Sequence, residues 1–178
     1  MSGRRVLVAG VGNVFLADDG FGVEVARRFA TEPQPDGVTV ADFGIRGLHL
    51  AYELLEGYDT TILVDASQRG GAPGDLVLVE VDPADLPPTP TPDQLVEQGA
   101  VLDAHGMTPA EVLALVRMLG GTPGRVLVLG CEPARVREEI GLSEPVAAAV
   151  DVALDELRRL VAEAGAGAIR RAPMRQGR

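Results

Sequence analysis

Short β-branched apolar runs alternate with helix-length amphipathic segments through the first third of the chain. That alternation restricts the fold to an α/β sheet. Residues 6–10, VLVAG, are apolar without a break, as a strand buried on both faces should be. Phe21, Val25 and Phe29 then recur at helical spacing up to about Ala30, and Pro33 and Pro35 end that segment. Asp18 or Asp19 is placed to cap its start. Residues 38–43 form a second strand, residues 47–56 a helix stopped by Gly57, and residues 61–65 a third strand. A β-α-β-α-β opening implies right-handed crossovers and a parallel sheet.

The remainder extends this pattern. A fourth strand covers residues 76–81. Only residues 66–75 precede it, with Gly70, Gly71, Pro73 and Gly74 among them, too few for a helical crossover, so this strand is expected to run antiparallel. Residues 82–104 contain five prolines and have the length of a lid or binding loop. Thr108 and Glu111 make a capping box with Pro109 at the first helical position. Val112, Leu115, Val116 and Leu119 follow on one face, and Gly120 and Gly121 stop that helix. Residues 125–129 give the fifth strand, and Ser143 is placed to cap a last helix bearing Val146, Val150, Ala153, Leu157 and Leu160. The expected fold is three-layer α/β: a five-stranded, mostly parallel twisted sheet with one antiparallel strand and helices on both faces. One domain is expected over residues 1–163. Residues 164–178 carry four Arg and no acid among scattered Gly and Pro, and read as a mobile basic tail.

Composition removes several classes of function. With 178 residues and 46% hydrophobic content, the chain can bury a sizeable core. Its apolar runs are too short or too interrupted to span a bilayer. The opening superficially resembles a signal peptide, but Gly12 and Asn13 break the run and residues 6–9 read better as buried strand. A net charge of −10 argues against nucleic acid as the main partner. One cysteine excludes an internal disulfide framework, and a cytoplasmic protein is the simplest account.

Three side chains carry the chemistry. Asp19 sits in GVGNVFLADDGFG, Asp65 ends the run TTILVDA, and His105 lies in DAHGMTP. Each falls just past a predicted strand or just before a predicted helix, positions that converge on one crevice of an open α/β sheet. Two carboxylates and an imidazole suit a transition metal. Plainer readings stand beside this one. Asp18 and Asp19 can be N-caps, although one cap suffices. Asp65 can be a strand-end acid bonded to backbone N–H groups, and a lone His105 can be structural. His49 reads as a packing or substrate-contact residue, and Cys131 as a small buried apolar one. Ser67 and Ser143 lie outside any G-x-S-x-G, which disfavours a serine hydrolase. VAGVGN looks like the start of a dinucleotide-binding turn, with Asp42 where a ribose-binding acid would sit. The third glycine would fall at Phe15, however, and the helix starts several residues late. Gly10, Gly12 and Asn13 are better read as turning the chain sharply outward, so that the following residues carry a carboxylate back over the sheet edge.

Taken in order, GVGNVFLADDGFGVEVARRF, DFGIRGLHLAYELL, ILVDA, DAHGMTP and GCEP followed by GLSEPV resemble the maturation endopeptidases of [NiFe]-hydrogenases. The resemblance runs from Val6 to about Leu157. It implies a five-stranded twisted sheet between helices and three metal ligands, which fall on Asp19, Asp65 and His105. Many relatives have Glu where this chain has Asp19, and a Gly-Gly-Thr type loop where it has Phe43-Gly44-Ile45-Arg46-Gly47. That loop is held to face the substrate, which would make Arg46 a candidate for altering precursor choice. The resemblance further implies an endopeptidase that removes the C-terminal extension of a hydrogenase large-subunit precursor after nickel insertion, recognising the nickel that the precursor carries. Such a site needs no Ser or Cys nucleophile, since a metal can polarise the scissile carbonyl while a carboxylate or a water completes attack. Two alternatives remain at this level. One is a non-enzymatic chaperone that binds nickel and precursor, and the other is a dinucleotide-dependent oxidoreductase using GVGN.

Overall fold

The structure is a computed structural model that describes residues 3–86, 88 and 108–167. Five strands form one sheet: β1 (Val6–Val11), β2 (Val38–Gly44), β3 (Thr60–Ala66), β4 (Leu76–Glu80) and β5 (Arg125–Cys131). The described helices are α1 (Phe21–Phe29), α2 (Gly47–Leu55), α3 (Pro109–Met118) and α4 (Glu144–Ala166), with 3-10 turns at Ala17–Gly20 and Pro83–Asp85. Strand order is β2-β1-β3-β5-β4. Every neighbouring pair is parallel except β4 with β5, where Leu76 faces Cys131 and Glu80 faces Leu127. The short link after β3 therefore does impose the antiparallel return.

Side-chain alternation in the strands builds the layers. Val6 and Val8 of β1, Ile62 and Val64 of β3, and Leu127 and Leu129 of β5 pack with Phe21, Val25 and Phe29 of α1 and with Val146, Val150, Leu157 and Leu160 of α4. From the same strands, Leu7, Ala9, Leu63, Val126 and Val128 pack on the other face with Leu50 and Leu54 of α2 and Val112, Leu115 and Val116 of α3. Helices thus cover both faces, and β1 and β3 are buried on each. A close approach on the first face depends on glycine. A Cβ on Gly22 would lie 2.0 Å from the Val64 carbonyl oxygen and 2.4 Å from that of Val11, and one on Gly10 would lie 2.2 Å from the Gly22 oxygen. Helix α1 can lie against β1 and β3 only because these positions lack side chains.

Several local expectations shift. The predicted α3 capping box is present, with Thr108 Oγ1 accepting from the Glu111 N–H and the Glu111 carboxylate accepting from the Thr108 N–H. Leu119 is exposed at the end of that helix, not on its packed face. Neither Asp18 nor Asp19 caps α1, whose N-cap is Gly20. Ser143 is the N-cap residue of α4, but its side chain makes no cap bond. Helix α4 continues through Ala164, which is buried, to Ala166, and Gly167 closes it at φ 71°. The first residues of the expected tail therefore belong to the helix. The 168–178 part of that tail, most of the proline-rich loop and His105 lie outside the described residues.

Candidate active site

Strand β1 sits between β2 and β3, so the chain leaves it toward β2 through α1 and returns to β3 through α2 on the opposite face. The C-terminal ends of β1 and β3 border that switch point, where open α/β sheets leave a crevice. A cleft of about 400 Å³ lies there, walled by Val11, Gly12, Asn13, Leu16 and Asp19 after β1, Gly44, Ile45 and Gly47 after β2, Leu63 and Asp65 of β3, and Thr108, Pro109 and Val112 of α3. Asp19 and Asp65, predicted from separate motifs, thus share one cavity. His105 stands three residues before Thr108 in the sequence, outside the described residues. Among the described residues no three His, Cys, Asp or Glu side chains are grouped to hold a metal ion.

Gly12 makes the turn that brings Asp19 back. Its φ is 134°, and a Cβ there would lie 1.9 Å from the Asp19 carbonyl oxygen. The Asn13 N–H then donates to Asp19 Oδ2 at 2.8 Å, and Asn13 Oδ1 accepts from the Phe15 N–H at 2.9 Å. The GVGN segment is therefore shaped around Asp19. It does not run directly into a helix, as a pyrophosphate-binding turn would, because α1 begins only at Phe21. Asp42, the candidate ribose acid, is ion-paired with Arg27 at 2.9 Å.

Asp65 is half-buried at the end of β3. Burial first, and the negative charge of Asp19 second, push its carboxyl up to about 7, against a smaller opposing hydrogen bond from the Ala66 N–H. Asp18 behaves oppositely although it adjoins Asp19. It is fully buried. Its Oδ2 accepts from the N–H groups of Ala134 and Arg135 and from the Ser143 hydroxyl, while Oδ1 accepts from the Ser143 N–H. Burial alone would raise this carboxyl, but those bonds outweigh it and hold it below its ordinary value.

The other candidates fall into plain roles. His49 is exposed on α2. The Arg46 guanidinium turns back onto the carbonyl oxygens of Phe43 and Asp42, bracing the loop whose Gly44, Ile45 and Gly47 face the cleft. Ser143 is occupied by Asp18, and Ser67 Oγ accepts from Arg69 Nε. Cys131 is buried, and burial followed by the charges of Asp18, Asp75 and Glu132 pushes its thiol up to about 11, far from a thiolate at neutral pH. Capping and serine-nucleophile arguments reached Asp18 and Ser143 separately and missed the bond between them.

Comparison with known proteins shows the family and the fold. The family model described as hydrogenase maturation protease matches residues 23–159. The hydrogenase expression/formation protein HupD of Rhodobacter capsulatus is 35% identical over 159 residues, 88% of this chain and 70% of that protein. The hydrogenase 2 maturation protease of Escherichia coli strain K12 is 31% identical over 171 residues, 94% of this chain and 96% of that protein. Among solved structures, the hydrogenase maturating endopeptidase HybD from Escherichia coli superposes with a TM-score of 0.70 at 26% identity, covering 90% of this chain and 94% of that one. No helix among the described residues is long and apolar enough to cross a membrane.

Proposed function

Because the chain belongs to the hydrogenase maturation protease family, we propose that it cuts the C-terminal extension from a [NiFe]-hydrogenase large-subunit precursor once nickel has been inserted. In this reading the nickel arrives with the precursor, and Asp19, Asp65 and His105 are the side chains that reach it. The observation that carries the reading is the pair of carboxylates in one cleft, with the charge of Asp19 helping to hold a proton on Asp65 up to about 7. A carboxyl poised in this way releases its proton when a cation enters, because the cation offsets both burial and the neighbouring charge. Two oxygen donors and one imidazole, without thiolate, suit an ion shared with ligands from another molecule. Nickel at that position would polarise the scissile carbonyl.

The chain's own residues do the rest. Asp19 and Asp65 orient the precursor through its metal. Val11, Leu16, Ile45, Leu63 and Val112 give the cleft apolar walls that exclude water from the peptide lying across it. A cytoplasmic setting fits the single buried cysteine, and the net charge of −10 fits a protein partner better than nucleic acid.

Full-length protein incubated with nickel-loaded precursor is expected to shorten it by its C-terminal peptide, as read by intact mass. The Asp19→Ala and His105→Ala variants should leave it uncut. Asp19→Ala should keep its circular dichroism and lose only about 1 kcal/mol in thermal melts, the net worth of the Asn13 N–H bond it removes. Wild-type protein that binds loaded precursor without shortening it would make the chain a nickel-binding chaperone. Cutting by both variants would remove the proposed site.

A further inference from the structure

Asp18 adjoins the cleft carboxylate and takes no part in the chemistry above, yet it is the more heavily bonded of the two. Its four hydrogen bonds come from Ala134 N–H at 2.9 Å, Arg135 N–H at 3.0 Å, Ser143 N–H at 2.6 Å and Ser143 Oγ at 2.9 Å. Backbone bonds add to the same junction: the Ala17 N–H donates to the Glu139 oxygen at 2.7 Å, the Asp18 N–H to the Arg135 oxygen at 3.2 Å, and the Glu139 N–H to the Phe15 oxygen at 3.0 Å. The β1–α1 loop is thereby clamped onto the loop between β5 and α4.

The clamp holds a strained turn. Ala17 has φ 52°, the only non-glycine in the left-handed region among the described residues. Such a conformation persists only where the surroundings over-determine it. Asp18 and Asp19 follow Ala17 on one 3-10 turn, where successive side chains diverge by about 120°. Asp18 therefore points into the protein while Asp19 points to the cleft. If the Asp18 bonds were released, Ala17 could relax to negative φ and the turn carrying Asp19 would swing.

We propose that Asp18, held by Ser143 and the 134–135 backbone, is a positioning residue that fixes Asp19 in the cleft. This rests on the reading of Asp19 as a residue that meets the precursor's metal. It gives the loop between β5 and α4 a role in the reaction without contact with the substrate. An acid is required at Asp18 because four donors converge on two oxygens, and an amide in its place would turn an NH2 group onto one of them.

The test compares Ser143→Ala, Ser143→Thr and Asp18→Asn in the full-length protein. Ser143→Ala removes one bond and keeps the Ser143 N–H. The reporter is hydrogen exchange at the Asn13 amide, which donates to Asp19 Oδ2, read against core amides of β1 and β3. Ser143→Ala is expected to speed Asn13 exchange several-fold with core amides unchanged, to lower kcat on nickel-loaded precursor by about tenfold at constant KM, the scale usual for partners that orient ligands, and Ser143→Thr should restore both. Asp18→Asn, where it folds, should do the same more strongly. Unchanged Asn13 exchange and kcat in Ser143→Ala, or exchange that speeds only in step with the core, would overturn the proposal. Failure of the wild type to cut the precursor would instead overturn the function reading, while the exchange comparison still decides the role of Asp18.

Discussion

The Asp65 carboxyl, raised to about 7 chiefly by burial and then by Asp19, makes the folding stability depend on pH near neutrality. An unfolded Asp titrates at about 3.9. Between about pH 4 and pH 7 the native state therefore holds a proton that the unfolded chain has released, so this group's contribution falls as pH rises through that window and stays low above it. Asp65→Asn removes the ionisation. The variant should be more stable than wild type by roughly 1–3 kcal/mol at pH 8, with the gap shrinking toward about pH 5, because a three-unit shift corresponds to at most about 4 kcal/mol. Urea melts at the two pH values check this, and a gap independent of pH would contradict it. Asp18 has the opposite sign. Its lowered value contributes stability above the unfolded value that is lost as pH falls through the folded one. Which of two adjacent acids goes inward was not legible in the sequence, because the donors that decide it lie 116, 117 and 125 residues downstream. Local spacing offered both acids as caps and Ser143 as another, and the long-range bond took two of these groups for a different purpose.

At the scale of elements, periodicity and connection length were informative. Continuous apolar runs marked the buried strands, the short glycine-rich link after β3 marked the antiparallel return, and Thr108 and Glu111 marked the start of α3. Ends were less legible. Gly165 and the glycine-rich composition beyond it suggested an earlier exit, yet Ala164 fills core space and only Gly167 adopts the left-handed closing conformation. The nearness of α1 to β1 and β3 was also hidden, because glycine spacing does not reveal which backbone will face it. Gly22→Ala should cost about 3 kcal/mol, near the upper end for overpacking, since the new Cβ would meet backbone oxygens of both strands that cannot rotate away. For a chain of this size that is a fall in Tm of about 6–12 °C. A variant within about 1 kcal/mol of wild type in denaturant melts would mean that α1 can shift outward at little expense.

At the scale of the whole molecule, strand order brings the residues after β1 and at the end of β3 to one crevice, and the same architecture belongs to the hydrogenase maturating endopeptidase it superposes on. Pattern and resemblance together pointed to Asp19 and Asp65, and both line that crevice. Two carboxylates and one imidazole, without thiolate, suit a metal brought in and not stored. Purified protein is accordingly expected to carry well under one nickel per chain by elemental analysis, and chelation of the enzyme alone should leave its activity intact. Stoichiometric tightly held nickel would count against a substrate-borne ion. The central claim, that nickel in the precursor licenses the cut, is tested most directly by intact-mass measurement of one large-subunit precursor prepared with and without nickel and incubated with the same enzyme. The loaded precursor should lose its C-terminal peptide and the nickel-free precursor should keep it; equal cutting of both would contradict the claim.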